Sequence, residues 1–383
     1  MLYRTLGEFG PEVSILGFGC MRLPVIGGEQ HVIDYPLATS MLRDAIDAGV
    51  TYVDTAFPYH GTGFAVPGES ERFVGTALAD GYRERVLLAT KMPSWLIKTR
   101  DDMERHLADQ LGRLQTDHID CYLLHALNAT YWEALVAADV FGFLNDAIAD
   151  GRIRYAGFSF HDELPLFKTI VDAYPWTFAQ IQYNLLDVDY QAGRDGLRYA
   201  AERGLGVIVM EPLKGGRLAR DRMPDDVRAA WDSAAVKRTP AQWALRWVWD
   251  QPEVSLLLSG MSTPAQVADN LATADTGEPD SLTADERELV ATVRDIYRSR
   301  TKADCTACKY CLPCPAGVDI PGVFAQLNNA ALYDDLEGAK SAYLEKVTEK
   351  ASACTLCGGC VPKCPQHIEI PDVLREALEL FGE

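Results

Sequence analysis

The segment from residue 86 to residue 125, VLLATKMPSWLIKTRDDMERHLADQLGRLQTDHIDCYLLH, contains the repeating unit that decides the fold. A short apolar run at 86–91 is followed by an amphipathic stretch at 100–114 and by a second apolar run at 119–125. Short apolar runs predict strands, and a longer stretch with apolar residues at helical spacing predicts a helix. A strand, a helix and a further strand in this order are typical of a parallel sheet.

The same alternation extends over most of the first 300 residues. Eight apolar runs occur, at 14–19, 51–54, 86–91, 119–125, 153–159, 178–184, 206–211 and 254–260. Helical patterns between them include 37–48, 100–114, 133–150 and 240–249. Eight strands alternating with helices predict an α/β fold of the (β/α)8 TIM barrel type over 1–299, with a hairpin at 2–15 closing its bottom. A doubly wound sheet is the alternative, but no G-x-G-x-x-G follows an early strand.

The remaining residues, 300–383, are marked by cysteines. Two quartets occur, Cys305, Cys308, Cys311 and Cys314, then Cys354, Cys357, Cys360 and Cys364, and each ends in Cys-Pro. In two-cluster ferredoxins three cysteines of such a run bind one cluster, and the fourth binds the neighbouring one. We therefore expect two [4Fe-4S] clusters in a small, mainly helical, ferredoxin-like domain.

Zinc and disulfides are the alternatives for these cysteines. A zinc site usually pairs two C-x2-C knuckles across a longer loop, and four cysteines within ten residues are crowded for that. Disulfides fit poorly, because no secretory signal opens the chain.

The quartets also belong to an internal repeat, in which residues 314–321 resemble residues 364–371. Both copies end in an apolar–acidic–apolar–Pro pattern, which predicts a helix with Pro in its first turn.

The amino-acid composition argues against some classes of binding partner. The 383 residues are 48% hydrophobic and 24% charged, and the net charge of −19 disfavours nucleic acid and anionic membrane surfaces. No apolar run is long enough to span a bilayer. With thiol-bound clusters and no targeting segment, we expect a cytoplasmic protein that binds neither nucleic acid nor membranes.

Ionisable residues stand at the ends of three successive predicted strands, where catalytic groups of such barrels lie. Asp54, Lys91 and His125 end the second, third and fourth runs, and Tyr59 follows in the loop after Asp54. A tyrosine phenol ionises near ~10, and a neighbouring ammonium held by a carboxylate would lower that value. Tyr59 could then protonate a carbonyl oxygen while hydride reaches its carbon, with His125 orienting the same oxygen.

Several motifs together resemble the aldo-keto reductase family, in order and over about residues 1–275. They are GVTYVDTA (49–56) with Tyr59, ATK (89–91), IDCYLLH (119–125), AGFS (156–159), QIQYN (180–184), EPLKGG (211–216) and GMSTPAQ (260–266) with Asn270. With the cysteine domain, the chain resembles the ferredoxin-fused branch of that family. The resemblance implies Tyr59 as general acid, tuned by Asp54 and Lys91, and His125 as the residue that positions the substrate.

The resemblance also implies a nicotinamide cofactor, NAD(H) or NADP(H), across the mouth of the barrel. Ser159 and Gln180 would bind the carboxamide, and Met210 would pack where many relatives stack a tyrosine on the nicotinamide. The pyrophosphate would lie against the backbone from Leu213 through Gly215 to Arg217. Gly260, Ser262, Gln266 and Asn270 would surround the adenosine half. Gly260 and Gln266 stand where relatives often carry the Lys and Arg that bind the 2′-phosphate, so NAD and NADP both remain open.

Three aromatic or histidine residues lie in loops that follow predicted strands. His60, Trp95 and His161 are candidates for the substrate pocket, with ordinary loop packing as the alternative.

Nicotinamide carries two electrons and each cluster carries one, so a flavin could link them, although no flavin fingerprint is present. The clusters are expected to pass electrons to or from the barrel site or a redox partner protein. The alternatives are a plain reductase of a small carbonyl or alcohol with structural or redox-sensing clusters, and a non-catalytic electron carrier.

Overall fold

The barrel predicted for the first part of the chain is present. The structure is a computed structural model, and it describes residues 1–220, 222–305, 307, 310–364 and 366–382. Eight parallel strands close into one barrel. They are β3 (Leu16–Gly19), β4 (Tyr52–Asp54), β5 (Leu87–Met92), β6 (Ile119–Leu127), β7 (Ile153–Phe160), β8 (Phe178–Gln182), β9 (Gly206–Met210) and β10 (Val254–Ser259). The TIM-barrel prediction is confirmed, since β10 pairs with β3 to complete the ring.

A hairpin covers one end of the barrel, as the sequence indicates. Strands β1 (Tyr3–Thr5) and β2 (Glu12–Ser14) pair antiparallel. Leu6 and Val13 are fully buried among interior residues of the barrel strands such as Phe178 and Ile208. Because a barrel of this size is filled by side chains, these two residues extend its core at the end opposite to the strands' carboxyl ends.

Helices follow the strands around the barrel. They are α1 (Tyr35–Asp47), α2 (Ser70–Ala77), α3 (Arg100–Leu114), α4 (Ala129–Ala137), α5 (Val140–Ala149), α6 (Leu164–Ala173), α7 (Gly193–Ala201), α9 (Pro240–Trp249) and α10 (Pro264–Ala274). The single helix expected over 133–150 is instead two. The break occurs at Asp139, which has a φ of 61° and caps α5 by accepting a hydrogen bond from the Gly142 N–H.

Among the described residues, the other α-helices are α8 (Asp225–Asp232), α11 (Ala284–Ser299), α12 (Ile320–Tyr333), α13 (Leu336–Lys346) and α14 (Ile370–Phe381). Helices α12 and α14 begin just before Pro321 and Pro371, so the repeated pattern does mark two helix starts. Their buried faces share a core in which the rings of Tyr343 and Phe381 stack 4.5 Å apart.

By their backbone contacts the residues form two compact units. One consists of Met1–Ala219 and Arg238–Thr283, and the other of Arg220–Lys237 and Ala284–Glu383. The division differs from a boundary at residue 300, because α8 and α11 group with the cysteine-bearing part. Within that unit Arg300 pairs with Asp226 at 3.0 Å. In the part of the chain that the structure describes, no helix is long and apolar enough to cross a membrane.

Candidate active site

Asp54 and Lys91 meet at the carboxyl ends of β4 and β5. The Lys91 Nζ donates to both carboxylate oxygens of Asp54, at 2.6 and 2.7 Å, and to the carbonyl of Thr55 at 2.9 Å. Burial opposes the ammonium, but Asp54 and Tyr59 outweigh it and raise the pKa of Lys91. Lys91 therefore stays charged inside the protein, because its charge has partners on several sides.

Tyr59 completes this group. Its hydroxyl is 3.4 Å from the Lys91 Nζ, and that nitrogen lies 4.9 Å from the ring centroid. Burial raises the pKa of Tyr59, and the ammonium of Lys91 opposes the rise without cancelling it. The lowered value expected from the sequence is not found, because withdrawal of the phenol from solvent weighs more than one cation. A raised pKa keeps the phenol protonated at neutral pH, the form required of a general acid.

His125 lies beside Tyr59, on strand β6. The two ring centroids are 6.1 Å apart in an edge-to-face arrangement. Burial lowers the pKa of His125 well below its ordinary value, and Lys91 and His161 add to the effect. The imidazole is thus neutral at pH 7. Its Nδ1 is buried and has no hydrogen-bond partner among the described residues.

Trp95 packs beside His125 and is itself flanked by two further aromatic rings. The ring centroids of Trp95 and His125 are 5.2 Å apart. The centroids of Phe64 and Tyr131 lie 5.9 and 6.5 Å from that of Trp95. The Trp95 indole N–H donates to the carbonyl of Phe64 at 2.7 Å, which ties the loop after β4 to the loop after β5. This wall suits a flat or apolar substrate group. Trp95 thus lies next to His125, and its contact with a substrate stays a prediction.

The two candidate loop histidines differ in their surroundings. His60 is buried, and both ring nitrogens are used by the backbone: one accepts from the Leu23 N–H at 3.2 Å and the other lies 2.6 Å from the carbonyl of Gln30. His60 thus packs the loops and does not face a substrate. His161 lies next to Gln191, with 3.3 Å between Nδ1 and Nε2.

The predicted carboxamide residues Ser159 and Gln180 lie on β7 and β8, and Met210 ends β9. The Ser159 hydroxyl accepts from the Ala126 N–H at 2.8 Å. Gln180 donates to the sulfur of Met210 at 3.4 Å, while its Oε1 is buried with no partner among the described residues. A buried acceptor without a donor is costly. The amide group of a nicotinamide would supply that donor, so these residues fit the cofactor.

The loop after β9 has the open backbone expected of a phosphate site. Gly215 and Gly216 have φ of 66° and 84°, and a short 3-10 helix begins at Arg217. The Leu213 carbonyl accepts from the Leu218 N–H at 3.1 Å. Positive φ and missing side chains let a phosphate approach the backbone here.

The loop after β10 lies against a residue that the sequence analysis missed, Arg22. A Cβ at position 260 would lie 3.2 Å from three carbons of the Arg22 side chain, so Gly260 lets Arg22 pack closely on this loop. The Ser262 hydroxyl donates to the Arg22 carbonyl at 2.7 Å, and Arg22 pairs with Glu211 at 3.2 Å. Its position three residues after β3 was a usable signal, because loops after strands form this face.

Gln266 and Asn270 have structural contacts in this region. The Gln266 Oε1 accepts from the Ser262 N–H at 2.7 Å. Asn270 is buried, and its Nδ2 donates to the Ser259 hydroxyl at 2.7 Å. Both contacts fix the end of β10 and the start of α10. Gly260, Ser262 and Gln266 are thus brought together with Gly215 through Arg22, whereas Asn270 supports them from within.

Cysteines of both quartets line one cavity of the second unit. Cys354, Cys357 and Cys360 share it with Cys311 and Cys314. Burial raises the pKa of the Cys360 thiol, and the thiols of Cys354, Cys357 and Cys314 add to the rise. The fourth cysteine of the first quartet thus lies with three of the second. Five thiols around a cavity suit an iron–sulfur cluster. Cys305 and Cys364 pack on the same core, and Cys308 lies outside the described residues.

A separate, open cavity of about 900 Å³ lies near the amino ends of the strands. Its lining includes Arg83, His118 and Arg154. All three side chains face Asp120, which is fully buried. The cavity is remote from Tyr59 along the strands, and these three side chains already contact the Asp120 carboxylate.

Comparison with known families agrees with this geometry. The family described as "Aldo/keto reductase family" matches residues 15–283, and a "4Fe-4S dicluster domain" matches residues 304–369. The chain therefore belongs to the aldo-keto reductase family and carries a 4Fe-4S dicluster domain. The resemblance drawn from the motifs is confirmed, and the chain is an oxidoreductase.

Individual relatives are moderately similar. A 6-dehydroglucose reductase of Novosphingobium aromaticivorans is 29% identical over 282 residues, which are 70% of this chain and 88% of the relative. The uncharacterised oxidoreductase YrpG of Bacillus subtilis is 28% identical over 335 residues, 78% of this chain and 96% of the relative.

Solved structures show the same barrel. The holo form of the aldo-keto reductase AKR11C1 from Bacillus halodurans aligns with a TM-score of 0.64 at 27% identity, covering 76% of this chain and 96% of that one. The thermostable aldo-keto reductase Tm1743, in complex with the inhibitor epalrestat, aligns with a TM-score of 0.61 at 27% identity, covering 76% and 100%.

Proposed function

We propose that this protein interconverts a small carbonyl compound and the corresponding alcohol with NAD(H) or NADP(H), and that Tyr59 is the general acid and base. One observation carries the proposal: the Lys91 ammonium lies between the carboxylate of Asp54 and the hydroxyl of Tyr59, at 2.6 and 3.4 Å. This is a proton donor next to a fixed positive charge.

The proton is handled by the chain itself. A carbonyl oxygen gains negative charge when hydride reaches its carbon, and the Tyr59 hydroxyl then gives its proton to that oxygen. The phenolate left behind is stabilised by Lys91, whose own charge is balanced by Asp54. In the reverse direction the phenolate takes the proton of the alcohol. Neutral His125 holds the reacting oxygen by a hydrogen bond, because an imidazole with a lowered pKa donates without carrying charge.

The dinucleotide would be held by residues already in place. When bound, it supplies or accepts the hydride. The unpaired Gln180 Oε1 would accept from its carboxamide. Ser159 and Met210 would border the ring, and the backbone from Leu213 to Arg217 would lie along the pyrophosphate. Gly260, Ser262 and Gln266 would border the adenosine half, with Asn270 fixing that loop. Support for this placement is the open backbone at Gly215 and the unpartnered amide oxygen.

For the second unit we propose two [4Fe-4S] clusters. One would be bound by Cys354, Cys357, Cys360 and Cys314, and the other by Cys305, Cys308, Cys311 and Cys364. Each cluster carries one electron, so two reduced clusters together match the two electrons of one hydride. We propose that they exchange electrons with the barrel site or with a redox partner protein, and that the cluster-binding domain itself covers residues 300–383. A cytoplasmic location follows from the need to keep the thiols reduced.

An anaerobic titration tests these points together. The full-length protein, reconstituted with iron and sulfide, is titrated with NADH and with NADPH while visible and EPR spectra are recorded. Bleaching of the cluster band with a reduced-cluster signal supports electron exchange and calls for a flavin analysis. Reduction by dithionite alone, with one nucleotide still binding, assigns the clusters a structural or sensing role.

Turnover tests the barrel site independently. We expect NAD(P)H-dependent reduction of 4-nitrobenzaldehyde to fall at least ~100-fold in Tyr59→Phe, since general acid catalysis is worth that much. Tyr155→Phe is the matched control, because Tyr155 lies on β7 inside the same barrel but away from Lys91. Equal activity in both variants would exclude Tyr59 as the acid.

A further inference from the structure

The start of helix α2 is joined to Lys91 by a buried polar network that the proposed reaction does not use. Glu71, in the first turn of α2, is fully buried. Its Oε1 accepts from the Thr90 hydroxyl at 2.7 Å and from the Gln110 amide at 2.6 Å, and its Oε2 accepts from the Arg113 Nε at 2.7 Å. A buried carboxylate with three donors is fixed in position.

Two of those donors lead directly to Lys91. Thr90 precedes it on β5, and the Gln110 Nε2 also donates to the Lys91 carbonyl at 3.0 Å. Gln110 is in turn held by the Tyr122 hydroxyl, which donates to its Oε1 at 2.8 Å. The backbone of Lys91 is therefore fixed from one side through Glu71.

The neighbouring residue of α2 holds the other side. The hydroxyls of Ser70 and Thr55 are 2.8 Å apart, and Ser70 also donates to the Cys20 carbonyl at 3.0 Å. The carbonyl of Thr55 accepts from the Lys91 ammonium at 2.9 Å. Two consecutive residues of one helix thus secure both the backbone of Lys91 and an acceptor of its charge.

The packing of α2 on α3 makes this reach possible. A Cβ at Gly75 would lie 2.7 Å from the carbonyl oxygen of Arg113, so only glycine allows the two helices to approach this closely. Gly75 is one turn after Glu71, on the same face of α2. The close approach brings Glu71 within hydrogen-bond distance of Gln110 and Arg113.

We propose that Glu71 is a positioning residue, which fixes Lys91 where its ammonium contacts Tyr59. The inference rests on the proposed function, in which that contact stabilises the phenolate. Nothing in the network touches the reacting atoms, so Glu71 acts through Thr90 and Gln110. Loss of the carboxylate would let the end of β5 move and lengthen the distance between Lys91 and Tyr59.

The chain offers a closely matched control. Asp120 is also a fully buried carboxylate, and it also binds an arginine, Arg83, at 2.8 Å. It fixes the same strand, because its Oδ2 accepts from the Leu88 N–H at 2.9 Å. It does so three residues before Lys91, toward the other end of β5. Asp120→Asn thus removes one buried negative charge that holds β5 from a neighbouring strand, without touching the link to Lys91.

The experiment measures the contact itself. Full-length protein is labelled with 13Cζ-tyrosine, and the Tyr59 resonance is assigned from Tyr59→Phe. Lys91→Met gives the reference position of a Tyr59 without an ammonium. We expect Glu71→Gln and Thr90→Val to move the resonance at least halfway toward that reference. Thr90→Ser, which keeps the hydroxyl, and Asp120→Asn remain at the wild-type position.

Kinetics give a second readout on the same proteins. With 4-nitrobenzaldehyde and the nucleotide that binds, we expect Glu71→Gln and Thr90→Val to lower kcat about 10- to 100-fold with KM nearly unchanged, as displacement of a catalytic group does. The alkaline limb of the rate profile should move to higher pH, because the Tyr59 phenolate loses its cation.

The outcomes separate the two proposals. A Tyr59 resonance that moves equally in Glu71→Gln and Asp120→Asn, or in neither, overturns the positioning role. If Glu71→Gln does not fold, the comparison of Thr90→Val with Thr90→Ser decides in the same way. A wild-type protein that turns over no carbonyl compound overturns the proposed function, while the resonance still tests whether Glu71 controls the distance between Lys91 and Tyr59.

Discussion

Lys91 and Asp54 form an ion pair in which the ammonium contacts both carboxylate oxygens, at 2.6 and 2.7 Å, with side chains 0% and 4% exposed. A buried ammonium or carboxylate is stable only when a group of opposite charge lies beside it. The chemistry of the site and the stability of the barrel therefore depend on the same ion pair, so turnover and unfolding have to be measured separately.

Removal of the cation should destabilise the fold. We expect Lys91→Met to lower the free energy of unfolding by about 3–5 kcal/mol, because it leaves the Asp54 carboxylate buried without a partner. Urea denaturation measures this change, with exposed Lys98→Met as the control. The double variant Asp54→Leu/Lys91→Met should recover most of the stability and none of the turnover. A loss under ~1 kcal/mol in Lys91→Met would contradict the buried pair.

The pH dependence of stability should carry a contribution from His125. Its pKa in the folded protein lies well below that of the unfolded chain, about 6.5. The unfolded state then binds more protons below pH 6.5, so this contribution is complete above that pH and is lost as the pH falls toward the folded value.

We therefore expect wild type to lose stability relative to His125→Gln when urea unfolding is repeated at pH 7.5, 6.5 and 5.5. Comparison with this variant removes the effect of the other histidines. A constant difference between the two proteins over this range would mean that the imidazole keeps its ordinary pKa.

Gln180 should affect nucleotide affinity and stability in opposite directions. Its Oε1 is buried without a partner in the protein alone, so Gln180→Leu should raise the free energy of unfolding by about 1 kcal/mol or leave it unchanged. The same change should weaken nucleotide binding roughly tenfold, since the acceptor for the carboxamide is gone. Fluorescence titration and thermal unfolding measure the two effects. Gln251→Leu, just before the amino end of β10, should leave nucleotide affinity unchanged.

Cysteine replacement should reveal which thiols share a cluster. We expect Cys314→Ala and Cys357→Ala to remove the same cluster, each halving the iron content, because both thiols line one cavity. The double variant should contain as much iron as either single variant. Cys121→Ala, in the barrel core, should retain all the iron. If the double variant loses all of it, the quartets bind their clusters separately.

Much of the fold could be predicted from the sequence. Parallel strands buried on both faces appear as continuous apolar runs, so 119–125 and 254–260 identify β6 and β10 almost directly. The region 133–150 was misjudged, because its apolar period continues through Asp139 while the backbone does not. A left-handed residue costs little at an aspartate that then caps the next helix. The spacing of apolar residues in the sequence does not reveal such a turn.

The candidate site could be predicted in its residue types and less well in its energetics. Asp54, Lys91, Tyr59 and His125 meet because strand ends of a barrel share one face. The direction of the pKa shift of Tyr59 could not be predicted, since it depends on how much solvent the loops remove. Arg22 was missed because its contacts join positions almost 190 and 240 residues apart, to Glu211 and Ser262.

The placement of Cys314 beside Cys360 has a consequence for how long the protein lasts in air. A cluster bound by Cys314 and Cys354 would close a ring of chain, 40 positions from 314 to 354, that contains α12 and α13. Opening such a ring returns conformational freedom to the unfolded state. Oxidative loss of one cluster would thus loosen both quartets and the helices between them. We would then expect exposure to oxygen to make the C-terminal unit more sensitive to proteolysis.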